Sequence, residues 1–179
     1  MRCVRVMLLG AALALSACGG SVPEATPSST SAANPSRSCL ASELIYDLTV
    51  PEAGRGEGYV VINIRAAGGG TCQLEGYPKV AFANQAGTSE SGLPAQQQPG
   101  ENARYEVRPG TVVPLVVQLR TQDAVGSPCE LQHANGIIVT PPGGEVGTFL
   151  EYPTDVCSDM DQPMLKVWPL GVTFDQAYG

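Results

Sequence analysis

Apolar residues recur at every second position through most of the chain, the period that puts alternate side chains on one face of a half-buried strand. Leu44, Tyr46, Leu48 and Val50 share one face, with Asp47 and Thr49 opposite. Val60, Ile62 and Ile64 share the next, against Asn63 and Arg65, and residues 80–83 follow as a third strand. The stretch 60–82 organises the rest, running from a strand through Gly68-Gly69-Gly70 and Cys72 to a turn at Gly76-Tyr77-Pro78. Gly76 takes positive φ without a Cβ clash, Tyr77 is driven to extended geometry by the proline after it, and Pro78 presets φ at the start of the strand. Tyr77 itself is predicted to be a packed aromatic.

A fourth strand at residues 104–108 enters a turn at Pro109-Gly110, and a fifth points Val113, Leu115, Val117 and Leu119 inward. Pro114 has no donor for a ladder, which places this strand at an edge or a bulge. Residues 136–140 and 146–152 are the sixth and seventh strands, separated by Pro141-Pro142-Gly143-Gly144, and residues 165–170 close the domain. Residues 84–102 are rich in Gln, Gly, Ser and Pro around a lone Leu93 and read as a long mobile loop. No segment shows helical periodicity. Seven or eight short strands with turn signals between them predict one all-β Greek-key β-sandwich.

The N-terminus departs from this pattern. Arg2 and Arg5 precede an apolar run over residues 6–15 and small residues at Ser16-Ala17-Cys18, the layout of an export signal. The run is about half of the roughly 20 residues a spanning helix needs. Leu15-Ser16-Ala17-Cys18 resembles the lipobox of bacterial lipoproteins, so residues 1–17 are expected to be removed and Cys18 lipidated. Residues 18–38 are then a Ser/Thr/Pro-rich tether, too poor in large apolar groups to fold, and residues 39–179 form the sandwich. These features predict an extracytoplasmic location on the outer face of the cell membrane.

Charge narrows the choice of partners. The mature chain keeps eight basic residues against seventeen acidic ones, a net charge of −9, which disfavours nucleic acid and polybasic contact with anionic lipid. Of the six cysteines, Cys3 lies in the signal and Cys18 is assigned to lipid. Cys39, Cys72, Cys129 and Cys157 remain, an even set in an oxidising compartment. Three pairings are open, and Cys39 with Cys72 and Cys129 with Cys157 is the expected one, because each spans a short stretch containing a strand that can fold back. Loop entropy would give each bridge about 3.5 kcal/mol. A four-cysteine metal site lacks the close pairs that structural zinc requires.

The segment Cys72-x-Leu74-x-Gly76-Tyr77-Pro78, followed by Val107-Arg108-Pro109-Gly110, by Cys129 before the strand ending in Pro141-Pro142-Gly143, and by Cys157 before Val167-Trp168-Pro169, resembles a known family. It comprises secreted proteins and lipoproteins of high-GC Gram-positive bacteria, the actinobacteria, that share a domain of unknown function. The resemblance implies an immunoglobulin-like sandwich and an envelope location, with no known activity.

Candidate chemistry is sparse. His133 is the sole histidine, in a turn-like stretch, and no Gly-x-Ser-x-Gly elbow presents a serine. A copper site would need His133 beside Met160 or Met164. Gly68-Gly69-Gly70 lacks the Lys and Ser/Thr of a phosphate loop. Glu151, Asp155, Asp159 and Asp161 offer oxygen ligands without the spacing of a calcium loop, so a solvated acidic loop is expected. Trp168 could stack a ring, though a lone aromatic on a terminal strand is more often core. The reading that results is a non-catalytic binding or scaffolding module with no cofactor, no metal and no catalytic residue. It would be monomeric and would meet an envelope protein or glycan through residues 86–102 and the acidic residues Asp155, Asp159 and Asp161. The alternatives are an envelope enzyme, or an accessory subunit of one, with an unfamiliar site, and a weak calcium or copper binder.

Overall fold

The computed structural model describes residues 37–51, 57–85, 89–120, 129–157 and 161–179; Cys18, the tether up to residue 36, and Asp159 lie outside them. After a short 3-10 turn at Ala41–Glu43 the chain forms β1 (Leu44–Thr49), β2 (Glu57–Ala66), β3 (Cys72–Glu75), β4 (Lys79–Gln85), β5 (Ser89–Ser91), β6 (Gln96–Gln97), β7 (Arg104–Val107), β8 (Val112–Arg120), β9 (Leu131–Thr140), β10 (Thr148–Cys157) and β11 (Leu165–Val167), then a helix α1 (Phe174–Tyr178). One sheet has the order β1-β2-β8-β11-β6 and the other β10-β9-β4-β5, with β3 and β7 paired as a separate ribbon. Hairpin neighbours such as β1 and β2 or β9 and β10 stay in one sheet, while other connections cross between the sheets, β8 to β9 among them, as an immunoglobulin-like Greek-key sandwich requires. The excess over seven or eight strands comes from short pieces: β3, β5 and β6 are four, three and two residues long.

The inward faces are those the alternation predicts. Val60, Ile62 and Ile64 of β2 meet Val113, Leu115 and Val117 of β8 in one continuous antiparallel register, all essentially buried. Val80 and Phe82 of β4 and Ile137 and Val139 of β9 supply the facing layer. Val50, expected on the inward face of the first strand, lies beyond the end of β1 and is exposed. Two bridges are present, Cys39–Cys72 and Cys129–Cys157. The first clamps the arm before β1 onto β3, beside the bridge of Ser38 to Gln73; the second ties the entry of β9 to the last residue of β10.

Pro114 sits in the β2–β8 ladder, opposite Asn63, at a local edge of the sheet as expected. It is tolerated because β11 pairs only with Val117 to Leu119, which leaves β8 without a strand neighbour on that side at Pro114. There the Pro114 carbonyl accepts from the Gly171 amide at 2.8 Å. The missing donor thus falls where no strand would have received it.

Residues 84–102 are not one long loop in the described part. Gln96 and Gln97 pair in parallel with Lys166 and Val167. The Ala95 amide donates to the Val80 carbonyl at 2.7 Å, and the Tyr77 hydroxyl donates to the Gln98 carbonyl at 2.6 Å. The backbone amides of a Gln/Ser/Pro segment bond as well as any others, so composition conceals this anchoring. Gly76 takes φ 99° at the turn, as its position demands.

Candidate functional site

One cleft lies on the outward side of the first sheet and is assembled by the C-terminal segment. Beyond β11 the chain continues alongside β8, with the Trp168 amide donating to Val116 at 3.2 Å before the Gly171 contact to Pro114. Trp168 therefore falls on the outward face, half-buried. Gly171 then turns the chain with φ 86° and packs so closely on Tyr105 that a Cβ there would lie 1.7 Å from the phenol oxygen. Only glycine fits.

The last residues fold back over the sheet as α1. Thr173 and Gln176 form a capping box in which Gln176 Oε1 accepts from the Thr173 amide at 2.9 Å. Phe174 and Tyr178 stack with ring centroids 5.3 Å apart, and both meet Tyr59 edge-on, at 5.4 and 5.7 Å. Tyr59 is buried beneath them, its hydroxyl accepting from Gln118 Nε2 at 2.9 Å. Trp168 also neighbours Tyr59, 6.2 Å between centroids and tilted by 37°. Aromatic pairs in these geometries stabilise by about 0.5–1.5 kcal/mol beyond the area they bury.

Between this aromatic group and residues 99–105 is a cavity of about 330 Å³, open to solvent, lined among others by Glu101, Tyr105, Trp168, Leu170 and Gln176. Its walls are held by close backbone packing. A Cβ on Gly100 would lie 2.5 Å from the Pro169 ring, so residues 99–101 rest directly on the C-terminal segment. The cavity thus presents an indole, a phenol, a carboxylate and a primary amide on fixed backbone, which suits reversible recognition of a small group.

The residues singled out from the sequence are placed elsewhere. His133 is in β9 and not in a turn, directly opposite Asp155 of β10, with Nδ1 to Oδ1 at 3.0 Å. Both side chains are well exposed, 60 and 67 %. Asp155 is consequently a strand residue, not part of a free acidic loop, since β10 runs on to Cys157. Asp161 is exposed near Gln162, and Glu151 is exposed on β10 beyond an irregularity in register. Among the described residues no three His, Cys, Asp or Glu side chains converge on one point. Met164 is buried in the core, away from the exposed His133, because it immediately precedes β11. Gly68-Gly69-Gly70 is an exposed loop, and Pro109-Gly110 is the turn into β8, with Gly110 at φ 88°.

Charge elsewhere is organised in local pairs. Glu43 receives both guanidinium nitrogens of Arg37, at 2.6 and 2.5 Å, and the Leu40 amide at 3.0 Å. These hydrogen bonds, the Arg37 ones first, bring its carboxyl down to about 2. Tyr46, in the core with Thr148 as its polar neighbour, is pushed up to about 12 by burial, and its hydroxyl lacks a hydrogen bond of good geometry.

Sequence inspection finds Trp168 but neither the partners nor the cleft, since Glu101, Tyr105 and Gln176 are up to 75 positions apart along the chain. The one local signal for α1 is Thr173-x-x-Gln176, the spacing of a capping box. No helix among the described residues is long and apolar enough to cross a membrane. The chain matches no curated protein and no solved structure. Residues 39–171, most of the chain and the whole of the sandwich strands, match a family model described as a domain of unknown function, DUF4232, and the chain belongs to that family.

Proposed function

We propose that the chain is an actinobacterial envelope lipoprotein, anchored through Cys18 on the outer face of the membrane, whose sandwich is a non-catalytic binding module for an envelope protein or glycan. The observation that carries the binding reading is the Trp168 cleft, where a half-buried aromatic and three polar or aromatic companions are set on backbone that close packing holds in place. Ligand groups gain from such preorganisation because little ordering remains to be done on binding. The anchor is supported by Leu15-Ser16-Ala17-Cys18 and by the Ser/Thr/Pro-rich stretch behind it. Two acyl chains would hold the protein stably where one would not.

The test is affinity capture from intact envelopes with the lipidated protein and its Trp168→Ala variant. Recovery of a partner by the first and its loss from the second is the expected result; equal recovery sinks the assignment to this cleft. Cys18→Ala should release the protein into the soluble fraction, and retention on the membrane would remove the anchor. Among the described residues, the His133–Asp155 pair is an acid–base arrangement that an enzyme could use. A hydrolytic activity lost in His133→Ala would overturn the non-catalytic reading.

A further inference from the structure

Resting on the reading that the Trp168 cleft is the docking site, we propose that the group it takes is an alkylammonium, the cationic end of a lysine-like side chain or similar amine on an envelope partner. Trp168 and Tyr105 both line the cavity. A cation over an aromatic face within about 6 Å of its centre is attracted by the ring quadrupole, most strongly at tryptophan. Glu101 adds the one formal charge among the described lining residues, and it is negative. Gln176 Oε1 is already taken up by Thr173, which leaves its amide nitrogen for a neighbouring oxygen of the ligand chain.

The surrounding field acts in the same direction. A mature chain of net charge −9 favours the approach of cations over anions. An anionic ligand would face Glu101 with no base among the described lining residues to offset it. A neutral sugar could stack on Trp168, but it would leave both the Glu101 charge and the field unused. The cavity, about 330 Å³, holds a substituted ammonium and a few carbons of its stem.

Trp168 is the sole tryptophan, so intrinsic fluorescence of the full chain reports on this cleft directly. The probes are tetramethylammonium chloride and Nα-acetyl-lysine amide, set against Nε-acetylated lysine amide and N-acetylglucosamine at constant ionic strength. A saturable change at about millimolar concentration is expected for the two cations and none for the neutral probes. Glu101→Gln, a change on an exposed side chain, should weaken the response about three-fold, and raising the salt should weaken it further. A response to N-acetylglucosamine alone, or equal responses to lysine and acetyl-lysine amides, overturns the ammonium assignment and leaves the docking site standing. Silence with every probe, while Trp168→Ala still loses the envelope partner, likewise overturns the ligand class alone. Unchanged partner recovery by Trp168→Ala removes the docking site itself.

Discussion

The outward faces of the two sheets start from strands of similar length and finish in different states. On the first sheet, Tyr59, Val116 and Gln118 point outward yet are buried, because residues 168–178 lie across them. Strand β8 is therefore covered on both sides, which is why its inward and outward positions are apolar alike from Val113 to Val117. On the second sheet, His133 and Asp155 form a cross-strand pair in water, and Lys79 of β4 reaches Glu90 of β5 at 2.8 Å. The difference teaches that burial on a sandwich is not decided by the sheet. An eleven-residue extension that carries its own aromatics converts a solvent face into a second small core, and the margin of that cover becomes a cleft.

The largest expected effects come from the two bridges, one leading into the first sheet and one within the second. Replacing Cys39 and Cys72 by Ala, or Cys129 and Cys157, should each lower stability by about 3.5 kcal/mol on loop entropy. Their sequence separations, 33 and 28, are too similar for that term to separate them. Any difference found in denaturant titrations then measures the native contacts each bridge supports. A loss below about 1 kcal/mol for either would show that its loop is already constrained when unfolded.

Glycine comes next. Gly171→Ala must accommodate both positive φ and the Tyr105 hydroxyl, whereas Gly143→Ala, at φ 73°, meets open space. The first should cost about 2–4 kcal/mol and shift Trp168 emission, the second about 1 kcal/mol with emission unchanged. Equal costs would mean that the C-terminal cover yields easily, and the contrast between the two faces would lose its basis.

The smallest effects belong to the solvated pairs. Asp155→Asn should change stability by no more than about 0.5 kcal/mol, because both partners are mostly in water. Glu43 is the informative control. Its carboxyl is held near 2, below the ordinary 4.5, by Arg37 and the Leu40 amide. A depressed carboxyl favours the folded state above pH 4.5 and loses that contribution as pH falls through about 2. Carbon-detected NMR should place its midpoint near 2 and find it higher in Arg37→Ala; a wild-type midpoint at the ordinary value would dissolve the pair.

Period-two alternation and turn chemistry carried most of the framework in the sequence alone. Val60, Ile62 and Ile64, and Val113, Leu115 and Val117, declare their inward face because a pleated strand repeats every two residues. Gly76, Gly110 and the prolines mark turns because backbone sterics act locally. Short β5 and β6 and the anchoring of residues 89–98 were invisible there. They depend on which backbone groups meet across the fold, and backbone groups are the same in every residue but proline. The cleft was hidden for the same reason. Trp168 stands out as a single tryptophan, yet its outward placement and its companions Glu101, Tyr105 and Gln176 follow only from the path of the C-terminal segment along β8, a path set by hydrogen bonds to Val116 and Pro114 and by a glycine that lets two segments touch.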